Sequence, residues 1–185
     1  MSLRVTGGIL RSRRLDVPGG RGVRPTPARV REAMFSIVGQ HLDGRSVLDG
    51  FAGSGSLGIE AASRGAGPVV FVERDRAHGE VLSRNAALLD ELCEWRLQKG
   101  DLLSSLDRLT GPFDLVLLDP PYRSGLATQA VIALGERPRL LSARATVVLE
   151  AEREDLPPVA GCLVREKRRS YGKTELHLYR VQEAG

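Results

Sequence analysis

From residue 46 to residue 149, short apolar runs take turns with stretches in which apolar residues recur at helical spacing. Ser46–Asp49 is a brief apolar run ending in a carboxylate and predicts a strand. Ser56–Arg64 follows as a helix, with Leu57, Ile59, Ala61 and Ala62 as its buried positions. Val69–Val72 predicts a second strand, entered from Gly67-Pro68. Val81, Leu82, Leu88, Leu89 and Leu92 fall near helical spacing, so Arg76–Leu92 reads as a helix. Trp95–Gln98, Phe113–Leu118 and Thr146–Leu149 predict further strands, and Leu102–Leu109 and Leu126–Leu134 further helices. Phe113–Leu118 is strongly apolar, the mark of a central strand covered on both faces. Such alternation argues for an α/β fold with a largely parallel sheet and helices on both sides. Ligands of these sheets sit beyond the carboxyl ends of the strands, near the point where strand order reverses.

The two ends follow other patterns. Leu3, Val5, Ile9, Leu15 and Val17 alternate among glycines and arginines, which suggests a hairpin stopped by Pro25–Pro27. Ala28–Val38 reads as an amphipathic helix, with Thr26 as its cap and Pro27 at its first helical position. Leu163–Ser170 and Glu175–Val181 alternate around Tyr171-Gly172-Lys173, a hairpin signal. The expected organisation is a basic N-terminal extension over residues 1–40 and a catalytic domain over residues 41–185.

Charge sharpens this division. Residues 1–45 hold nine arginines against three acidic residues, and residues 162–180 hold six basic residues against two. The stretch between them is net acidic, within a chain of net charge +4. Basic ends around an acidic middle suggest a polyanionic substrate, although 24 of the 27 basic residues are Arg, a bias that genome composition or heat adaptation also produces. Cys93 and Cys162 lack metal-type spacing and read as free thiols in a reducing cytosol. The three histidines are scattered, so no metal site is expected. No apolar window approaches a membrane span, and Met1–Arg4 leads into glycines and arginines instead of a signal sequence. A cytoplasmic protein is expected.

Two motifs carry the chemistry. Gly53-Ser54-Gly55-Ser56-Leu57-Gly58 matches G-x-G-x-x-G between a predicted strand and a predicted helix. Its glycines let the backbone turn tightly and let a ligand approach. Glu73 follows Gly53 by 20 residues at the end of the next strand, where an acceptor for ribose hydroxyls belongs. A nicotinamide dinucleotide fits these features as well as S-adenosylmethionine does. Asp49, at the strand end before the turn, favours the latter, because a carboxylate there suits an ammonium and a sulfonium and repels a pyrophosphate. Asp101, ending the third strand, is placed to accept from an adenine amino group or to cap its helix. The second motif is Asp119-Pro120-Pro121-Tyr122, directly after Phe113–Leu118. Consecutive prolines fix φ and remove two backbone donors, which leaves the Pro120 carbonyl a rigid acceptor beside the Asp119 carboxylate. Two acceptors converging on a planar NH₂ group expose its lone pair to a methyl donor. Tyr122 offers a stacking face worth about 1–3 kcal/mol per base. Together the motifs point to methyl transfer from S-adenosylmethionine to the amino nitrogen of a base.

With these residues in view, the chain resembles the bacterial RsmD-type methyltransferases, which form N2-methylguanosine in 16S ribosomal RNA. The resemblance runs through Arg4-Val5-Thr6-Gly7-Gly8, Arg13-Arg14-Leu15 and Arg24-Pro25-Thr26-Pro27-Ala28-Arg29-Val30-Arg31-Glu32-Ala33-Met34-Phe35, the most family-specific segment. It continues through Leu48–Gly55, Ser63–Ala66, Phe71–Asp75, Asp119–Tyr122 and Tyr171–Thr174. It implies a Rossmann-like class I methyltransferase: a mostly parallel seven-stranded sheet, an antiparallel C-terminal hairpin and a small N-terminal hairpin and helix. It also implies S-adenosylmethionine as donor and the small ribosomal subunit, or its 16S RNA, as partner. The expected cofactor set is Asp49, Ala52, Gly53, Ser54, Gly55, Leu57, Glu73, Arg74, Asp101 and Leu102, with Asp119, Pro120, Pro121 and Tyr122 on the target guanine. Arg11, Arg13, Arg14, Arg24, Thr26, Arg29, Arg168, Arg169 and Lys173 are expected to meet RNA, Thr26 and Arg29 alternatively closing over the cofactor. The chain departs from the family at Gly50, where a larger apolar residue is usual, and at Gly172-Lys173, where Gly-Asp is commoner. A monomer is expected.

The motifs leave other functions open. The same clamp serves an adenine or cytosine amine or a protein glutamine, against which stand the N-terminal arginine motif and, for DNA, the lack of room for a target-recognition domain. A nicotinamide-dependent oxidoreductase uses the turn and Glu73 but leaves the clamp idle. A non-catalytic RNA-binding module uses neither.

Overall fold

The computed structural model describes residues 3–19, 27–122, 124–152 and 155–182. Its main sheet is built on β3 (Val47–Asp49), β4 (Val69–Glu73), β5 (Trp95–Lys99), β6 (Phe113–Leu118) and β7 (Leu141–Ala151), all mutually parallel. β10 (Thr174–Val181) inserts antiparallel between β7 and β9 (Leu163–Tyr171), and the two-residue β8 (Val159–Ala160) ends the sheet. The order is β5-β4-β3-β6-β7-β10-β9-β8, so the expected seven strands are present with a short eighth on one edge. From β3 the chain moves outward through β4 and β5, then returns to lay β6 on the other side of β3. The reversal therefore lies between β3 and β6, whose carboxyl ends carry the two motifs.

Alternation along the central strands divides the core in two. Val47, Phe71, Leu115, Leu117 and Val148 face α1 (Ala28–Val38), α2 (Ser56–Ser63) and α3 (Arg76–Ala86). Leu48, Val70, Val72, Val116, Leu118 and Leu149 face α4 (Leu102–Ser105) and α5 (Leu126–Gly135). Two predicted helices, Arg76–Leu92 and the short Leu102–Leu109, end early in 3-10 turns, Ala87–Leu89 and Leu106–Arg108. β7 begins five residues before the predicted Thr146, because Ser142–Arg144 are only partly buried or exposed and carry no apolar signal.

The N-terminal segment is packed more deeply than an added extension. β1 (Leu3–Arg4) pairs with β2 (Arg14–Leu15), and Leu3, Val5, Leu10, Leu15, Val30, Met34 and Phe35 share one core with Val47 and Phe71. Every residue of α2 is buried, because the sheet covers one face and residues 6–10 cover the other. Glu60 accepts from the Thr6 and Gly7 N–H groups (2.8 Å each), from Thr6 Oγ1 (2.7 Å) and from Arg64 (2.7 Å). Gly8, at φ +74°, lies so close to the Ser63 carbonyl that any Cβ would overlap it. Pro27 stands at the N-cap of α1 and not at its first helical position, with no side-chain cap bond of its own. The predicted cap Thr26 lies outside the described residues.

Candidate active site

A cleft of about 970 Å³ opens above the carboxyl ends of β3, β4 and β6. Its walls include Ala52, Gly53 and Ser54 of the glycine turn, Glu73 and Arg74 after β4, Asp101 and Leu102 after β5, and the whole of Asp119–Tyr122. The two motifs thus border one cavity of the size that ligand pockets usually have.

The glycine turn is fixed from below and beside. Asp49 Oδ2 accepts from the Gly58 N–H (2.8 Å), joining the end of β3 to the first turn of α2. The Gly55 N–H donates to the Ala52 carbonyl (2.6 Å), and the Ala52 N–H to the Val72 carbonyl (3.0 Å). The Gly53 N–H donates to Glu73 Oε2 (2.7 Å), while Glu73 Oε1 accepts from the Asp75 N–H (2.7 Å). These bonds bear on the choice of cofactor. A dinucleotide loop keeps its N–H groups for pyrophosphate at the helix N-terminus. Here the N–H groups of Gly53, Gly55 and Gly58 already have protein acceptors. The rim adds Glu73, Asp75, Asp101, Asp119 and Glu152 against Arg74, His78 and Lys173. That balance suits a cationic ligand without phosphate, and S-adenosylmethionine fits it. Gly53, at φ +54°, has open space where a side chain would stand.

Three residues of the expected cofactor set do not line the cleft. Asp49 is fully buried, and its Oδ1 has no hydrogen-bond partner. Burial, with Asp119 and Glu73 nearby, pushes its carboxyl up to about 7 against the pull of the Gly58 N–H. Gly55, at φ +81°, turns the chain into α2, with Leu82 and Ile59 filling the space where a Cβ would go. Leu57 belongs to the core. In all three the motif serves the turn and not the cavity. Asp101 caps α4, its Oδ1 accepting from the Leu103 N–H (2.9 Å) and the Ser104 N–H (3.3 Å), and still lines the cleft. Gly50 also has its reason: the Leu102 and Leu118 side chains occupy the volume a larger residue would take.

The clamp is held from far away in sequence. Tyr122 is partly exposed, at 43%, and its hydroxyl donates to Glu150 Oε1 (2.6 Å), with Thr174 Oγ1 at 3.4 Å. Burial and the bond to Glu150 hold the Tyr122 phenol well above its usual range. Glu150 is fully buried on β7. Its burial and the charge of Asp119 push it up to about 8, against the pull of the Tyr122 hydroxyl and of Arg31. Arg31 on α1 is itself buried and donates to the Arg4 carbonyl (2.6 Å). Neither Glu150 nor Arg31 stands out in sequence as part of a site. Glu150 leaves a trace, an acid directly after the apolar run Val147–Leu149.

Of the expected RNA residues, Lys173 lines the cleft, on the turn between β9 and β10. Arg11, Arg13, Arg14, Arg29 and Arg169 are exposed outside it. Arg168 is exposed and clasps Glu175 through three bonds of 2.8–3.0 Å. Arg24, like Thr26, lies outside the described residues. Val17, Pro18, Pro27, Thr174 and Glu152 line the cleft without having been anticipated. Among the described residues no cluster could hold a metal ion, and no helix is long and apolar enough to cross a membrane.

Known proteins resemble this chain in sequence and in fold. The family described as conserved hypothetical protein 95 matches residues 3–180. Ribosomal RNA small subunit methyltransferase D of Haemophilus influenzae is 38% identical over 172 residues, 89% of this chain and 88% of its own. The protein of that name from Escherichia coli is 35% identical over 184 residues, 99% of this chain and 92% of its own. The solved structure of yhhF from Escherichia coli matches with a TM-score of 0.84 at 34% identity, covering 100% of each chain.

Proposed function

We propose how the cleft works from one premise: this chain belongs to the family described as conserved hypothetical protein 95 and is homologous to ribosomal RNA small subunit methyltransferase D. It is an S-adenosylmethionine-dependent enzyme that methylates the exocyclic N2 of a guanine in 16S ribosomal RNA. The observation that carries the assignment of roles is the single cleft bordered by the glycine turn, Glu73 and Asp119–Tyr122.

Glu73 takes the ribose hydroxyls on the lone pairs its two backbone bonds leave free. Asp101 takes the adenine amine, and the backbone of Ala52–Ser54 flanks the methionine part. The bound cofactor supplies an electrophilic methyl group on a sulfonium. Asp119 and the Pro120 carbonyl accept the two N–H bonds of the guanine amine, and the Tyr122 ring stacks on the base. The amine is a poor nucleophile because its lone pair is delocalised into the ring. Two acceptors orient it toward the methyl group, and alignment at close range contributes much of the rate. The target guanine is unpaired or flipped when it enters. Lys173 at the cleft mouth, with exposed Arg11, Arg13, Arg14, Arg29 and Arg169, meets RNA phosphates. Residues 1–40 carry part of that surface, the remainder of the chain carries the chemistry, and the enzyme acts as a cytoplasmic monomer.

Asp119→Ala is expected to abolish methyl transfer to 16S RNA, offered both naked and in small subunits, while S-adenosylhomocysteine binds as before by calorimetry. Retained transfer, read by nucleoside mass spectrometry, removes the mechanism. Loss of cofactor binding reassigns Asp119 to the cofactor.

A further inference from the structure

Glu150 is the largest unexplained expense in this active site. It is fully buried, yet it stands one residue before the end of β7, after Val147–Leu149, which are all apolar. A buried carboxyl is costly wherever an apolar residue could pack instead. One of its oxygens accepts a hydrogen bond, and the donor is the Tyr122 hydroxyl at 2.6 Å. The other oxygen has no partner. The fold itself therefore uses little of this group.

Its surroundings explain where it acts. Glu150 pairs in register with Leu176 of β10, close to the hairpin turn that brings Thr174 to 3.4 Å from the same Tyr122 hydroxyl. Val148, two residues earlier on the same face of β7, belongs to the core shared with α1. The charges of Arg31 on α1 and of Asp119 in the clamp both act on Glu150, in opposite senses. Three stretches distant from β7, the clamp, α1 and the C-terminal hairpin, thus bear on one carboxyl. The Tyr122 ring is partly exposed, and the two prolines before it fix only their own φ, so the ring depends on an anchor at the hydroxyl.

We propose that Glu150 is a positioning residue that fixes the Tyr122 ring as the stacking wall for the target base. The proposal rests on the reading of Tyr122 as that wall. Glu150 touches neither base nor cofactor and acts through the tyrosine hydroxyl.

The test is a double-mutant cycle of Glu150→Leu and Tyr122→Phe, with Glu150→Gln and Tyr122→Ala beside it. Each variant is read for KM toward RNA, kcat, S-adenosylhomocysteine affinity and Tm. Glu150→Leu is expected to raise KM for RNA about tenfold, within the range a lost base stack produces. Cofactor affinity stays within about twofold of wild type, because the glycine turn is held by other bonds. Tyr122→Phe is expected to reproduce the effect, and the double variant to be no worse than either single one. Glu150→Gln, which keeps a carbonyl acceptor for the hydroxyl, is expected to restore KM to within about threefold. Additive single effects, an equal failure of the Gln variant, or a fall in Tm with unchanged KM overturns the positioning role. If Tyr122→Ala leaves KM for RNA unchanged, the stacking wall itself is wrong. If Tyr122→Ala raises KM while Glu150→Leu and Tyr122→Phe do not, the wall stands and Glu150 alone is misassigned.

Discussion

The two walls of the cleft are built in opposite ways. The cofactor wall is local: Asp49 reaches Gly58 across 9 residues, Glu73 reaches Gly53 across 20, and the Asp75 N–H reaches back 2 to Glu73. The clamp wall is assembled from afar: Tyr122 reaches Glu150 across 28 residues and Thr174 across 52. Apart from Asp101 and Leu102 after β5, the first wall is complete once one β-turn-α-β unit has formed. The second exists only when β7 and the C-terminal hairpin are both in place. A site divided this way can keep its cofactor grip while losing its grip on the base.

The largest blow to the contrast comes from Glu60→Ala, because α2 stands behind the cofactor wall and depends on residues 6–10 for its outer cover. The change leaves Arg64 buried without its carboxylate and strips Thr6 and Gly7 of their acceptor. A loss of about 3–5 kcal/mol is expected in urea unfolding, and a change below about 1 kcal/mol would mean the N-terminal segment is an ornament on the domain.

Asp49 tests the local wall through pH. Its folded carboxyl titrates near 7, above its ordinary 3.8. Between those values the folded state keeps a proton that the unfolded state has released, so this contribution is complete below about pH 4 and is lost as pH rises through about 7. The full swing is on the order of 4 kcal/mol. Asp49→Asn is expected to flatten that part of the stability profile and leave the share from Glu150, which titrates near 8, in place. An unchanged profile would show that Asp49 is not the group responsible.

The smallest effect belongs to the far wall's outer surface. Arg169→Ala on β9 is expected to lower the salt slope of RNA binding by about one phosphate contact, with cofactor affinity untouched. An identical slope in filter-binding assays would take β9 out of the RNA surface.

This division also governs what the sequence reveals. β6 matches its predicted span, Phe113–Leu118, because an unbroken apolar run has few other destinations. The glycine turn, Glu73 and Asp119–Tyr122 were legible because their chemistry is written in contiguous residues. Within the turn, however, Gly55 and Leu57 face the core, and no pattern distinguishes a glycine needed for its φ from one needed for ligand approach. Glu150 and Arg31 were illegible as site residues because their meaning lies in what the fold sets beside them. The deep seating of residues 3–19 was hidden for the same reason: Glu60 looks like a solvent-facing helix residue until Thr6 and Gly7 arrive over it.

β8 covers β9 only at Leu163–Val164, so among the described residues the outer side of β9 beyond that point carries no further strand. An exposed strand edge invites another copy to add itself and grow into a fibril. Lys167, Arg168 and Arg169 crowd that stretch with like charge, so two such margins repel before they can zip together. The cations proposed to meet RNA also make this rim a poor template for aggregation.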